Sequence, residues 1–196
     1  RRSRTPMKPV DPVALRKSRR YLLLIALVFA APMIIAGLLS VAGWQPGVKG
    51  NGHAILPQRN FVDEKLQVKL DNGQVWPWRD SEPRFTLIAL AGPDCAARCF
   101  ETLTGIAKAR VMLNRNQTRL RLLYLGAPPA DAGRRVAMQT YWTLGNDVDG
   151  KLAAYAPIAP DSVSAVLVES NGTALSWYPA GFDGPGLLRD LQKVVK

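Results

Sequence analysis

Histidine and cysteine are scarce in this chain of 196 residues, which contains one histidine and two cysteines. With a single histidine the sequence does not support an ordinary Ser-His-Asp triad, and it also lacks a P-loop, a GxSxG motif and an HExxH motif. Two cysteines are too few for a small secreted scaffold built on disulfides. These absences leave no support for the common hydrolase, nucleotide-binding and zinc-protease classes.

Acidic residues are also few, with 15 Asp and Glu against 26 Lys and Arg, for a net charge of +11. The imbalance is concentrated in residues 1–20, which hold eight basic side chains and one acidic one. Because the rest of the chain is only mildly basic, the charge does not predict an extended surface for nucleic acid. We therefore expect no nucleic-acid partner.

A long apolar run follows the basic cluster. Residues 21–44 contain no ionisable side chain except the Tyr21 phenol, and as a helix they would extend about 36 Å, which exceeds a hydrocarbon core of about 30 Å. The sequence predicts one transmembrane helix over 21–44. The positive-inside rule then places a basic tail, 1–20, in the cytoplasm and the rest of the chain outside it.

In a bacterium, this topology describes a single-pass inner-membrane protein with a periplasmic C-terminal domain and anionic lipids as partners. A cleavable signal peptide is the alternative, since residues 40–42, Ser-Val-Ala, resemble a small-residue cleavage site. The apolar run is longer than a typical signal-peptide core, which favours the anchor.

The remainder divides into a linker and one domain. Residues 45–60 are rich in Gly, Pro and Asn and lack apolar periodicity, which predicts a linker, and the domain then spans 61–196. The elements predicted within it are a hairpin at Asn72-Gly73, a strand over 84–91, a helix from an Asp94 cap to about 114, a strand over 119–125, a helix over 131–142, strands over 164–169 and 174–178 joined at Asn171-Gly172, and a helix from Pro185. This order predicts an α/β thioredoxin-like fold, with a central mixed sheet flanked by helices.

Both cysteines lie where the strand over 84–91 gives way to the following helix. Cys95 and Cys99 are four residues apart, so in one helical turn they would share a face at a Cα separation of about 6 Å, within disulfide range. They could bond each other or bind one ion, and a helix N-terminus lowers thiol pKa values. A purely structural disulfide is the alternative, although a loop of about five residues stabilises a domain by only roughly 2 kcal/mol.

The two cysteines form a Cys-Xaa-Xaa-Xaa-Cys motif at a strand-to-helix turn, in a domain that follows one N-terminal apolar segment. In this arrangement the sequence resembles the Sco family, thioredoxin-like, membrane-anchored proteins that mature the copper centre of cytochrome c oxidase subunit II. The family motif has a proline after the first cysteine, whereas this sequence has Ala96. The resemblance covers roughly residues 61–196. It implies that Cys95 and Cys99 act as a redox pair or as copper(I) ligands.

The third copper ligand of the family is a histidine that lies about eleven residues before the glycine of the last hairpin turn. Counting back from Gly172, this position is Asp161. The only histidine, His53, lies in the predicted linker and is expected to be exposed. Since copper(I) prefers sulfur and imidazole ligands, the copper site implied by the resemblance is incomplete.

The resemblance therefore implies a membrane-anchored periplasmic protein that assists the biogenesis of an aa3-type cytochrome c oxidase. Cys95 and Cys99 would act by thiol–disulfide exchange or copper handling at subunit II, and oxidase subunits would be the partners. Two alternatives stay open: a non-catalytic accessory subunit of the oxidase with a structural disulfide, and a general periplasmic thiol–disulfide oxidoreductase.

Overall fold

The computed structural model describes residues 12–41 and 50–196, in two compact units of which the first ends at Lys49 and the second begins at Gly50. In the first unit, helix α1 spans Pro12–Val41. Among the described residues, no helix is both long enough and apolar enough to cross a membrane. The transmembrane helix predicted over 21–44 is therefore not confirmed, and residues 1–11 of the predicted tail and 42–49 around the predicted linker lie outside the described residues.

The second unit contains the three predicted helices and strands before, between and after them. Its strands are β1 (His53–Ala54), β2 (Val68–Leu70), β3 (Phe85–Ala91), β4 (Leu120–Leu125), β5 (Thr143–Asp147), β6 (Val163–Val168) and β7 (Ala174–Tyr178). Its α-helices are α2 (Ala97–Val111), α3 (Ala132–Gln139) and α4 (Gly184–Val194), and short 3-10 turns span Asn114–Arg119 and Ala153–Tyr155.

The strands form one mixed sheet in the order β1-β7-β6-β3-β4-β5-β2. Strands β3, β4 and β5 run parallel, while β6 is antiparallel to β3, and β7, β1 and β2 also pair antiparallel to their neighbours. The predicted α/β thioredoxin-like architecture with a mixed central sheet is confirmed.

Strand β3 lies at the centre of the sheet and is buried on both faces. Leu87 and Ala89 belong to a core shared with α2 and α4, whereas Ile88 and Leu90 face a second core. Because successive strand residues point to opposite faces, a strand covered on both sides is mostly apolar, as β3 is apart from Thr86. This central strand provides the rigid base for the loop that carries the cysteines.

Two strands were not predicted. β5 has the sequence TLGND, whose glycine and polar residues carry little strand signal, and it forms because parallel β4 and antiparallel β2 pair with its two edges. β1 contains two residues, His53 and Ala54, and is defined only by its pairing with β7. The second unit thus includes part of the segment predicted as a linker.

Buried Asp190 of α4 attaches the start of this unit to its core. The Asp190 carboxylate accepts hydrogen bonds from the backbone N–H of Asn51 at 2.6 Å, from that of Gly52 at 3.3 Å and from the Tyr178 hydroxyl at 3.3 Å. Burial, followed by the charge of Asp190, raises the pKa of the Tyr178 phenol. Tyr178 therefore stays protonated and acts as a donor to Asp190.

Replacement of Asp190 with alanine is expected to lower the free energy of unfolding by about 2 kcal/mol, because the buried Tyr178 hydroxyl and the part-buried N–H groups of Asn51 and Gly52 would lose their acceptor. Urea denaturation of the full chain measures this change. Gln192→Ala, on an exposed position of the same helix, is the matched control and should change stability little. Equal stability of Asp190→Ala and Gln192→Ala would contradict the anchoring role.

Candidate functional site

The candidate site lies at the carboxyl ends of the central strands, where three loops meet. Parallel strands β3 and β4 both end there, with Leu90 paired to Leu125. Antiparallel β6 begins at the same end of the sheet, with Ala91 of β3 opposite Val163. The register therefore brings the residues just before Val163 next to the cysteine-bearing loop that follows Ala91.

Cys95 and Cys99 form a disulfide, with their Cα atoms 5.1 Å apart. Cys95 lies in the loop before α2 and its residue surface is 7% exposed, whereas Cys99 lies in the first turn of α2 and is fully buried. The two cysteines thus differ in access, and Cys95 is the one that faces the surface cleft described below.

Asp161 caps the helix that carries the cysteines. Its carboxylate accepts hydrogen bonds from the backbone N–H of Ala96 at 2.8 Å, of Arg98 at 3.0 Å and of Cys99 at 2.8 Å. The Cys99 N–H is the largest influence on the Asp161 carboxyl, and with the other two donors it holds the pKa of that group below its usual range. Asp161 is therefore an anion bound to the positive end of α2.

The prediction that Asp94 caps this helix is wrong. The N-cap position is Ala96, and no side chain at that position caps the helix. Asp94 instead accepts a hydrogen bond from the backbone N–H of Asp161 at 2.8 Å. The two aspartates thus connect the cysteine loop and the loop before β6 in both directions, an arrangement that local sequence preferences cannot reveal.

The backbone at Asp161 adopts a left-handed conformation, with φ of 51°. This region disfavours most side chains but is tolerated by aspartate, asparagine and histidine. Arg98 forms an ion pair with the same carboxylate at 3.8 Å from its Nε atom, but 83% of its side chain is exposed, so solvent screens the pair. The capping contacts, rather than this ion pair, hold Asp161 in place.

A cleft of about 360 Å³ opens beside Cys95. It lies between the cysteine loop and the loop from β4 to α3, where Asp131 caps α3 by accepting the N–H of Arg134 at 2.7 Å. The residues that line the cleft are Pro93, Asp94, Cys95, Ala96, Ala127, Pro128, Pro129, Ala130, Asp131 and Arg134. A client segment could approach the disulfide from this side.

The donor set at this site does not fit the copper centre that the resemblance implies. In the part of the chain that the structure describes, no three His, Cys, Asp or Glu side chains are grouped as metal ligands. Asp161 stands close to the cysteine pair, as the count from Gly172 implied, but it offers hard oxygen atoms that are already bound to backbone N–H groups. His53 lies on exposed strand β1, and strands β7 and β6 lie between β1 and β3. At the usual spacing of neighbouring strands, β1 is about 14 Å from β3.

A larger apolar cavity of about 580 Å³ lies between α2 and α3 and contains neither cysteine. It is lined by Phe100, Leu103, Thr104, Ala107, Lys108, Val111, Met112, Ala137, Met138, Tyr141 and Trp142. Size alone does not locate the candidate site, since Cys95 lines the smaller cleft and neither cysteine lines the larger cavity.

A comparison with protein families assigns the domain to a thioredoxin-like family. The family model described as "Transmembrane-like, thioredoxin-like, C-terminal domain" matches residues 85–196. A search of curated proteins found no match.

Several solved structures are similar to this chain at low sequence identity. The apo Sco1 protein of Thermus thermophilus is 16% identical, with a TM-score of 0.52, covering 76% of this chain and 99% of that one. Copper-bound ScoI of Arabidopsis thaliana is 13% identical, with a TM-score of 0.47, covering 65% and 93%. Peroxiredoxin Q of Xanthomonas campestris is 14% identical, with a TM-score of 0.49, covering 73% and 99%.

The likeness to the Thermus protein supports the thioredoxin-like fold, which agrees with the element order and the mixed sheet described above. The family model spans more than half of the chain, and its matched segment includes the strand, the cysteine loop and the helices that form the site. The chain therefore belongs to the transmembrane-like, thioredoxin-like C-terminal domain family.

Proposed function

We propose that this protein performs thiol–disulfide exchange through Cys95 and Cys99. The observation that carries the proposal is the disulfide at the strand-to-helix turn, in which Cys95 borders the cleft and Cys99 is fully buried. This asymmetry is what exchange requires, since one sulfur must meet a client while the other must be shielded until the resolving step. Cys95 is the attacking residue and Cys99 the resolving residue.

In the reduced protein, the Cys95 thiolate attacks one sulfur of a client disulfide, and the other client sulfur leaves as a thiolate. Cys99 then loses its proton to solvent and attacks the Cys95 sulfur, which releases the client from the mixed disulfide. The client gains two electrons and two protons, and the protein is left with the Cys95–Cys99 disulfide. A dithiol reductant must restore the reduced pair for another cycle.

We further propose that the domain works outside the cytoplasm, in association with a bacterial inner membrane. The basic cluster in 1–20, the apolar run after it and the presence of a disulfide support this location. The Sco resemblance makes the cysteines of cytochrome c oxidase subunit II the favoured client. Copper handling at that subunit is a weaker alternative, because the donor set does not fit the implied copper centre.

A structural disulfide in a non-catalytic accessory subunit is the second candidate. It is favoured by the low exposure of both cysteines and by the contacts that Asp161 makes with their loop. A disulfide that serves only stability needs no access to a client. The two candidates therefore differ in whether Cys95 reacts in the folded protein.

The Cys99→Ser variant of the full chain tests the proposal directly. When mixed with a peptide that contains a disulfide, it should accumulate a mixed disulfide at Cys95, since the resolving thiol is missing. Mass spectrometry of the unreduced protein measures this adduct. In cells, the same variant should retain oxidase subunit II through a bond that a reductant releases.

Cys95→Ser is the matched control, because it leaves the buried Cys99 as the only thiol. It should form the adduct far more slowly than Cys99→Ser. If neither variant reacts with the peptide while folded, the disulfide is structural and the second candidate stands. If Cys99→Ser reacts with the peptide but retains no oxidase subunit in cells, exchange is supported and the oxidase link is wrong.

A further inference from the structure

Asp161 occupies the groups that would otherwise activate a cysteine. The backbone N–H groups at the N-terminus of α2 are the local donors that can stabilise a thiolate at Cys95, and the partial positive charge of the helix end acts in the same direction. In this protein, the N–H groups of Ala96, Arg98 and Cys99 are all bonded to the Asp161 carboxylate. The N–H groups that would stabilise a Cys95 thiolate are therefore already bonded to a negatively charged carboxylate.

The surrounding charges do not reverse this effect. Arg98 is the cation paired with Asp161, but its side chain is largely exposed and screened. Asp94 adds a second carboxylate, which accepts the Asp161 backbone N–H. On the opposite side of the cleft, Arg134 and the α3 cap Asp131 contribute one charge of each sign. The environment of the pair is therefore more negative than a bare helix N-terminus.

We propose that Asp161 is a positioning residue that holds the Cys95–Cys99 pair in its disulfide form, because its negative charge lies on the α2 N–H donors that would otherwise stabilise a Cys95 thiolate. This inference rests on the proposed exchange at the same pair and adds its regulation. Reduction adds two electrons to the disulfide and gives two thiolates, which then take up two protons. A neighbouring charge that destabilises the thiolate therefore destabilises the reduced state. In glutathione buffers, the wild-type pair would therefore be reduced only at a high ratio of reduced to oxidised glutathione.

The backbone of Asp161 supports this role. Asp161 has a left-handed conformation in which its carboxylate accepts the N–H groups at the start of α2. Asp94 of the cysteine loop accepts the backbone N–H of the same residue. Asparagine also tolerates this conformation, so Asp161→Asn removes the charge with little change in shape. Asp161→Ser is a second neutral variant, which replaces the carboxylate with a shorter side chain that carries one hydroxyl.

The test is the equilibrium of the full chain with glutathione buffers of graded redox ratio, read by alkylation of free thiols and mass spectrometry. Asp161→Asn should shift the equilibrium constant toward the dithiol by at least about tenfold, which corresponds to about 30 mV for a two-electron couple. The absorbance of the thiolate should also show a lower pKa for Cys95. Asp161→Ser should shift both quantities in the same direction.

Asp183→Asn is the matched control. Asp183 caps α4 by accepting the N–H of Gly186 at 2.9 Å, so this variant removes a carboxylate charge from the start of a helix that does not line the cleft. It should leave the redox equilibrium unchanged. Equal equilibrium constants for the wild type and both Asp161 variants would overturn the inference, even if the protein exchanges with a peptide disulfide. A shift in Asp161→Asn without any exchange by Cys99→Ser would instead overturn the proposed function alone.

Discussion

Gly92→Ala is expected to destabilise the protein by about 3 kcal/mol and to displace the loop that carries Asp161. A Cβ atom at Gly92 would lie 2.3 Å from the carbonyl oxygen of Ala159 and 3.3 Å from the hydroxyl of Ser162. The first of these atoms belongs to the backbone, so the contact cannot be relieved by rotating a side chain. The N–H of Gly92 also donates to the carbonyl of Ser162 at 2.9 Å, which holds the two loops together.

Displacement of that loop has a chemical consequence as well as a structural one. Asp161 lies between Ala159 and Ser162, so a loop forced away from Gly92 would withdraw its carboxylate from the Cys99 N–H. We therefore expect Gly92→Ala to shift the glutathione equilibrium in the same direction as Asp161→Asn. Urea denaturation and the redox equilibrium of the same samples measure both effects.

Gly105→Ala provides the control for the glycine substitution. Gly105 lies inside α2, and no atom outside the adjoining backbone of that helix would lie within 4 Å of its added Cβ. Because glycine is a poor helix former, this variant should gain roughly 0.5–1 kcal/mol in stability and leave the redox equilibrium unchanged. A Gly92→Ala variant as stable as Gly105→Ala would contradict the close approach of the two loops.

Asp161→His is expected to raise the affinity of the reduced protein for copper(I) by at least about tenfold over Asp161→Asn, because imidazole is a soft ligand that the present donor set lacks. The side chain at position 161 already reaches the N–H of Cys99, and histidine is among the residues that tolerate its backbone conformation. The resemblance to the Sco family implies a histidine at this position. Competition with a chromophoric copper(I) chelator measures the affinity.

The comparison with Asp161→Asn separates the new ligand from the loss of the cap. Both variants lose the carboxylate that binds the α2 N–H groups, and only one of them gains an imidazole. Equal copper affinities would mean that the side chain at 161 does not reach the sulfur atoms of the reduced pair. Even with a histidine at position 161, the chain would then not form the copper site that the resemblance implies.

Much of the fold is predictable from local pattern. The central strand was predicted over 84–91 and found at Phe85–Ala91, and the strand over 119–125 was found at Leu120–Leu125. Both strands are mostly apolar and mostly buried, with Thr86 and Arg121 as the polar exceptions, so they differ clearly from the flanking loops. Asp131 was also predicted correctly as the start of a helix, because its cap is local to that helix.

The elements that were missed depend on partners distant in the sequence. Strand β5 contains Gly145 and Asn146, which carry no strand preference, and it is stabilised by pairing with β2 and β4. The α2 cap was assigned to Asp94 because that residue is local, whereas the structure uses Asp161, whose contact with Cys99 spans 62 residues. No local signal distinguishes the two aspartates.

The sequence by itself determined the position of Cys95 and Cys99 at a strand-to-helix turn and the count from Gly172 to Asp161, because both depend only on order along the chain. The tertiary structure decided what Asp161 does at that position. The antiparallel register of β6 against β3 brings Asp161 to the end of α2, where its charge meets the helix donors. Strand register is a property of the whole sheet, and so the electrostatic environment of the pair emerges only when the chain is folded.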